Sequence, residues 1–179
     1  DGNSTNIAIA GNVQANNRIL LFIDPKSGGY NTANFDKTNA PAGLSSFSSS
    51  TTFDAGLDPD YCLVIGVNGG SDNYFDLFTL AATSGTGTNA YLGGRTIHNF
   101  GALAGGNPSN SSQTRGFEVS LPNSLIGYTT GNIQLMAMYI SETGFLSNQF
   151  LTRALVSESN YGSGGIAFGS AAPNPLTVS

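Results

Sequence analysis

Arg18-Ile19-Leu20-Leu21-Phe22-Ile23-Asp24 and Tyr61-Cys62-Leu63-Val64-Ile65-Gly66-Val67 are the two stretches whose reading decides the fold. Each is apolar at odd and even positions alike, so an extended chain here must be covered on both faces. Each is closed by turn chemistry, Pro25 with Gly28-Gly29 after the first and Asn68-Gly69-Gly70 after the second. The two runs therefore read as central strands of a sheet with material on either side.

Outward from these runs the β signal continues. Strands are expected at 74–80, 114–121 and 133–140, with weaker ones at 6–13, 90–92, 96–100, 148–156 and 166–168. Gly-Gly pairs at 28–29, 69–70, 93–94, 105–106 and 164–165 punctuate them. No stretch keeps a helical period; Pro122-Asn123-Ser124-Leu125-Ile126 has room for one helical turn in a crossover. The low-complexity stretches 45–52 and 83–89 read as exposed loops. The expected fold is all-β, a single mostly antiparallel β-sandwich or jelly roll spanning 1–179.

Composition narrows the habitat. Only 9% of the residues are charged, against about 25% in ordinary soluble domains. Small neutral polar residues must coat the surface instead. Just two lysines, Lys26 and Lys37, are available to guard strand edges against pairing with other chains. The six cations are scattered and the net charge is −5, which disfavours nucleic acid and anionic membrane surfaces. No run of about 18 apolar residues is present, so no membrane insertion is expected. The start at Asp1-Gly2-Asn3-Ser4 reads as a processed secretory product, and the composition suits the extracellular space or cell surface.

Five motifs carry a resemblance: Ile9-Ala10-Gly11-Asn12-Val13, Phe22-Ile23-Asp24 with Gly28-Gly29-Tyr30-Asn31-Thr32, Phe53-Asp54-Ala55-Gly56 with Asp60-Tyr61, Tyr91-Leu92-Gly93, and Phe145-Leu146-Ser147-Asn148-Gln149. Together, and in this order, they resemble a family of secreted bacterial β-sandwich proteins without an established activity. In that family a leader segment and one further strand precede the Ala-Gly-Asn motif. Here residues 1–8 alone precede Ile9. The resemblance thus implies a sandwich one strand short, with unpaired N–H and C=O groups that an extended segment of a neighbouring subunit would satisfy. The donated strand is expected within residues 1–14, with Ile7, Ile9 and Val13 on one alternating face as subunit-interface residues. The tail Pro175-Leu176-Thr177-Val178 is a second candidate. In the plain alternative, residues 1–14 are the first strand of their own sheet.

Catalytic constellations are lacking. His98 is the only histidine and has no evident partner for nucleophilic chemistry. Cys62 sits in the most apolar run, where a thiol packs as a small hydrophobe. Glu118 and Glu142 could pair as glycosidase carboxyls, but so could almost any two acids. Calcium is the one chemical suggestion: Asp54-Ala55-Gly56-Leu57-Asp58-Pro59-Asp60 places three carboxylates, Asp54, Asp58 and Asp60, around a turn, though not at EF-hand spacing. Asp24 and the pair Asp72 and Asp76 mark two further acidic turns. The opposing reading is that these aspartates cap turns.

Two functions follow as expectations. The first is a non-enzymatic structural subunit of an extracellular filament, sheath or matrix, polymerising with itself by strand complementation. The second is a calcium-stabilised carbohydrate-binding or adhesive module acting on polysaccharide, with Tyr30, Tyr91, Tyr128 and Tyr161 as sugar platforms. The absence of tryptophan counts against the second.

Overall fold

Both apolar runs form strands, β2 (Asn17–Asp24) and β3 (Tyr61–Asn68), paired antiparallel with Ile19 opposite Ile65 and Phe22 opposite Cys62. The computed structural model describes residues 2–10, 13–38, 40–68, 72–80, 90–94, 116–151, 159–168 and 175–179. Of 10, 67–68, 72–74, 90–94 and 116–118 it describes the backbone alone. The remaining strands are β1 (Ser4–Ala10), β4 (Asp72–Thr79), β5 (Ala90–Gly94), β6 (Gly116–Pro122), β7 (Ile133–Ser141), β8 (Leu146–Leu151) and β9 (Leu176–Val178). The expected strand at 96–100 lies outside the described residues.

The larger sheet runs β5-β4-β3-β2-β7-β8, with β9 also on β7, and β1 and β6 form a second, two-stranded sheet. Every strand pair is antiparallel. The chain is thus all-β, and the two sheets stack as a sandwich.

Alternation on the central strands builds two cores. Ile19, Leu21 and Ile23 of β2 join Leu63, Ile65, Phe75, Leu77, Ile133, Leu135 and Ala137 on the inner face. The small sheet closes this face with Ile7, Val119 and Leu121, helped by Val13 and Ile126. The intervening residues Leu20, Phe22, Cys62, Val64, Met136, Met138 and Ile140 point the other way. They meet an irregular layer made by Phe35, Leu44, Phe47, Phe53, Leu57 and Phe168. Six consecutive β2 residues, Arg18 to Ile23, are buried, as the unbroken apolar run requires.

The irregular layer is tied by backbone bonds instead of a sheet. Ala33 donates to Thr51 O (2.8 Å), Phe53 to Asn31 O (2.7 Å), and Phe168 to Thr52 O (3.0 Å). Lys37 Nζ donates to Ala33 O and Ser49 Oγ, both 2.7 Å, with the Phe35 ring 5.0 Å away. Burial pushes this ammonium down to about 8.

Three sequence expectations change here. The stretch 45–52 is not simply an exposed loop: Ser45, Ser46, Ser49 and Ser50 face water, while Phe47 and Thr51 are buried. Residues 166–168 contribute an isolated bridge at Ala167 and not a strand. Residues 123–127 form turns, closed by Leu125 N to Pro122 O at 2.9 Å, without a helix. The stretch 83–89 lies outside the described residues.

Candidate functional site

The three aspartates of the 54–60 turn do not converge on one point. Asp54 is buried, and its backbone carbonyl accepts from Leu57 N (3.0 Å) and Asn31 Nδ2 (3.4 Å), which makes it part of a turn. Asp58 and Asp60 lie instead beside Asp24. The pairing of Ile23 with Tyr61 brings the end of β2 against the start of β3. Asp58 N donates to Asp24 Oδ2 at 2.9 Å and Asp60 N to Ile23 O at 3.0 Å. The sequence marks Asp24 as a separate acidic turn, and its grouping with Asp58 and Asp60 comes from the strand pairing, since it closes one apolar run where Asp60 opens the next. Among the described residues, no group of three or more His, Cys, Asp or Glu is placed to hold a metal ion.

The cluster is nevertheless electrostatically loaded. Burial raises the Asp60 carboxyl to about 6, the nearby Lys26 pulls it back, and Asp24 and Asp58 push it further up. Its Oδ2 is buried without a hydrogen-bond partner. Burial likewise raises Asp24, against the lowering effect of the Asp58 N–H. Lys26 Nζ donates to Tyr61 Oη at 3.2 Å, and that bond holds the ammonium above its ordinary value.

The predicted interface residues are in the chain's own core. Ile7 and Val13 are buried in the inner core and the half-buried Ile9 packs against that core. β1 pairs with β6 over seven positions, from Ser4 opposite Pro122 to Ala10 opposite Gly116. The C-terminal candidate is also engaged at home: Leu176, Thr177 and Val178 pair with Leu135, Gln134 and Ile133 of β7.

The remaining candidates are absorbed by structure. Glu142 forms an ion pair with the buried Arg18. The side chain of Glu118 is outside the described set, as are Tyr91's side chain and His98. Cys62 is fully buried and burial pushes its thiol well up, so it does not ionise readily. Tyr30 and Tyr161 are half-buried against the outer core and Tyr128 against the inner one.

What sequence reasoning missed is an apolar ledge. β8 and β9 run in the same direction, end to end along β7, as one broken edge strand. Side chains directly opposite in an antiparallel pair share a face. Leu151 stands opposite Ala137, Leu176 opposite Leu135, and Val178 opposite Ile133. Those three partners are buried in the inner core, yet Leu151, Leu176 and Val178 are 38%, 39% and 46% exposed. Among the described residues, the inner face of the large sheet is therefore wider than the cover laid over it. No spacing in the sequence announces this, because it depends on where the cover stops.

No protein family, curated protein or solved structure matches this chain. Among the described residues no helix is long and apolar enough to cross a membrane.

Proposed function

We propose that this chain is a non-enzymatic structural subunit of an extracellular bacterial filament, sheath or matrix, joined to its own copies by β-strand complementation. One observation carries the reading. Among the described residues five strands lie at a sheet edge, and four of them, β1, β5, β8 and β9, contain no charged residue and no proline, whereas β6 carries Glu118 and ends on Pro122. Charge, proline and bulges are the usual means by which an edge refuses a neighbour. On those four strands the one such device is irregular pairing, at β5 and β8.

The surface composition agrees with an extracellular role. It is rich in the uncharged residues Gly, Ser, Thr and Asn, and poor in lysine. The reading also explains why the buried Cys62 and the Arg18–Glu142 pair serve packing instead of chemistry.

Negative-stain microscopy of the native material, with sedimentation across a concentration series, tests it. Regular fibres or sheets, with size growing as concentration rises, are the expected result. A chain that stays monomeric at every concentration would sink the proposal.

A further inference from the structure

We infer that the ledge of Leu151, Leu176 and Val178 is the seat of a second copy of this chain, a surface that deepens the self-assembly reading and rests on it. The first argument is geometric. Successive ledge residues are opposite β7 positions 133, 135 and 137, two residues apart, so they form a row at the repeat of one strand face. An extended segment laid along this row places every second side chain onto it. It would extend the small sheet's cover over the inner core to the edge of the large sheet.

The second argument comes from backbone chemistry. The start of β8 is already blunted: Leu146 exchanges bonds with Gly162 (2.8 and 3.1 Å), and Asn148 N donates to Asn160 Oδ1 (3.2 Å). The blunting runs on through Gln149, whose N–H donates to Ser147 Oγ at 2.9 Å. Among the described residues, β9 has β7 as its sole strand partner. Beyond Gln149 this edge runs on through Leu151, Leu176 and Val178, the residues of the apolar ledge.

Charge identifies the occupant. Each copy carries a net charge of −5, so two copies repel unless they meet where charge is absent. Residues 143–151 and 175–178 contain no charged side chain. A cationic partner would find nothing here to recognise. A copy of the same chain finds an apolar row with no like charge to overcome.

The test uses the full chain with Leu176→Asp and Val178→Asp together, Leu151→Asp separately, and Leu176→Met as the conservative control. A carboxylate placed in a desolvated contact raises the critical concentration for assembly by about tenfold or more. The expected result is that both Asp variants melt like the parent, while only Leu176→Met assembles like it. If the Asp variants assemble normally, the ledge is not the contact, although the self-assembly reading survives. If the parent itself never assembles, both fall. Should the variants misfold, hydrogen exchange of the parent decides: assembly must protect the amides of 150–151 and 176–178, and unchanged exchange overturns the inference. Protection of these amides by insoluble polysaccharide in a dispersed monomer would also overturn it, assigning the ledge to glycan.

Discussion

Gly29 has φ of +83°, and a Cβ added there would lie 1.8 Å from the Asp58 carbonyl oxygen. Gly56 has nearly the same φ, +87°, with nothing within 4 Å of the added atom. The two positions separate conformational strain from steric exclusion. Gly56→Ala pays only for the left-handed conformation, about 1–2 kcal/mol. Gly29→Ala must in addition push the 28–30 turn off residues 58–60, and we expect at least about 3 kcal/mol there. Chemical denaturation of both variants checks this; equal losses would mean that the close approach at Gly29 is not a constraint. Asp60 gives a second residue-scale prediction. Its folded-state carboxyl is raised to about 6 by burial, above its unfolded value. The native state therefore binds a proton more tightly, and the resulting stability is complete below about pH 4 and lost as pH rises through about 6. Asp24 is raised and acts in the same direction, whereas the exposed Asp36 is lowered and acts the opposite way below its ordinary range. Melting temperature should climb between pH 7 and pH 5, and Asp60→Asn should flatten that rise. A parent that melts lower at pH 5 than at pH 7 would contradict the sign.

At the scale of elements, legibility in the sequence followed burial. β2 and β3 were legible because strands covered on both faces show as unbroken apolar runs, and the structure buries Arg18 to Ile23 and 61–66 accordingly. The layer between β2 and β3 was not legible. Phe35, Leu44, Phe47, Phe53 and Leu57 keep no period of two, because irregular chain orients each ring by its own turn. The serines around Phe47 then disguise a core segment as a solvated loop. Yet the Phe22 ring touches this layer closely, with centroids 4.7 Å from Phe53 and 5.6 Å from Phe47. Truncating a buried phenylalanine costs about 3–5 kcal/mol. Phe22→Ala and Phe47→Ala should both fall in that range. If 45–52 were only a loop, Phe47→Ala would cost under about 0.5 kcal/mol, as surface substitutions do. Urea melts of the pair distinguish a structural third layer from a loose strap. The candidate metal site shows the same limit of sequence: nearness along the chain grouped Asp54 with Asp58 and Asp60, whereas strand pairing grouped Asp24 with them.

For the whole molecule, the balance between pairing and repulsion determines how assembly responds to solution conditions. A short added strand forms about four backbone hydrogen bonds, each worth about 0.5–1.5 kcal/mol net, which alone gives weak association. Covering three aliphatic side chains that are each about two-fifths exposed adds about 2–3 kcal/mol per copy. Against this stands the mutual repulsion of bodies carrying −5 each. That repulsion is long-ranged and acts between exposed charges, so salt screens it, with a Debye length near 8 Å at 0.15 M and about 3 Å at 1 M. The hydrogen bonds and apolar contacts are short-ranged and gain slightly, if anything, from salt. Raising sodium chloride from 0.05 to 0.5 M should therefore shorten the lag before light scattering rises and lower the critical concentration. Acidification toward pH 4.5 should act in the same direction by removing carboxylate charge, with Asp60 among the first groups to take up a proton. An interface built on ion pairs between copies would respond in the opposite way, weakening as salt increases. A turbidity series in salt at constant pH therefore separates an uncharged contact from a charged one before any side chain is altered.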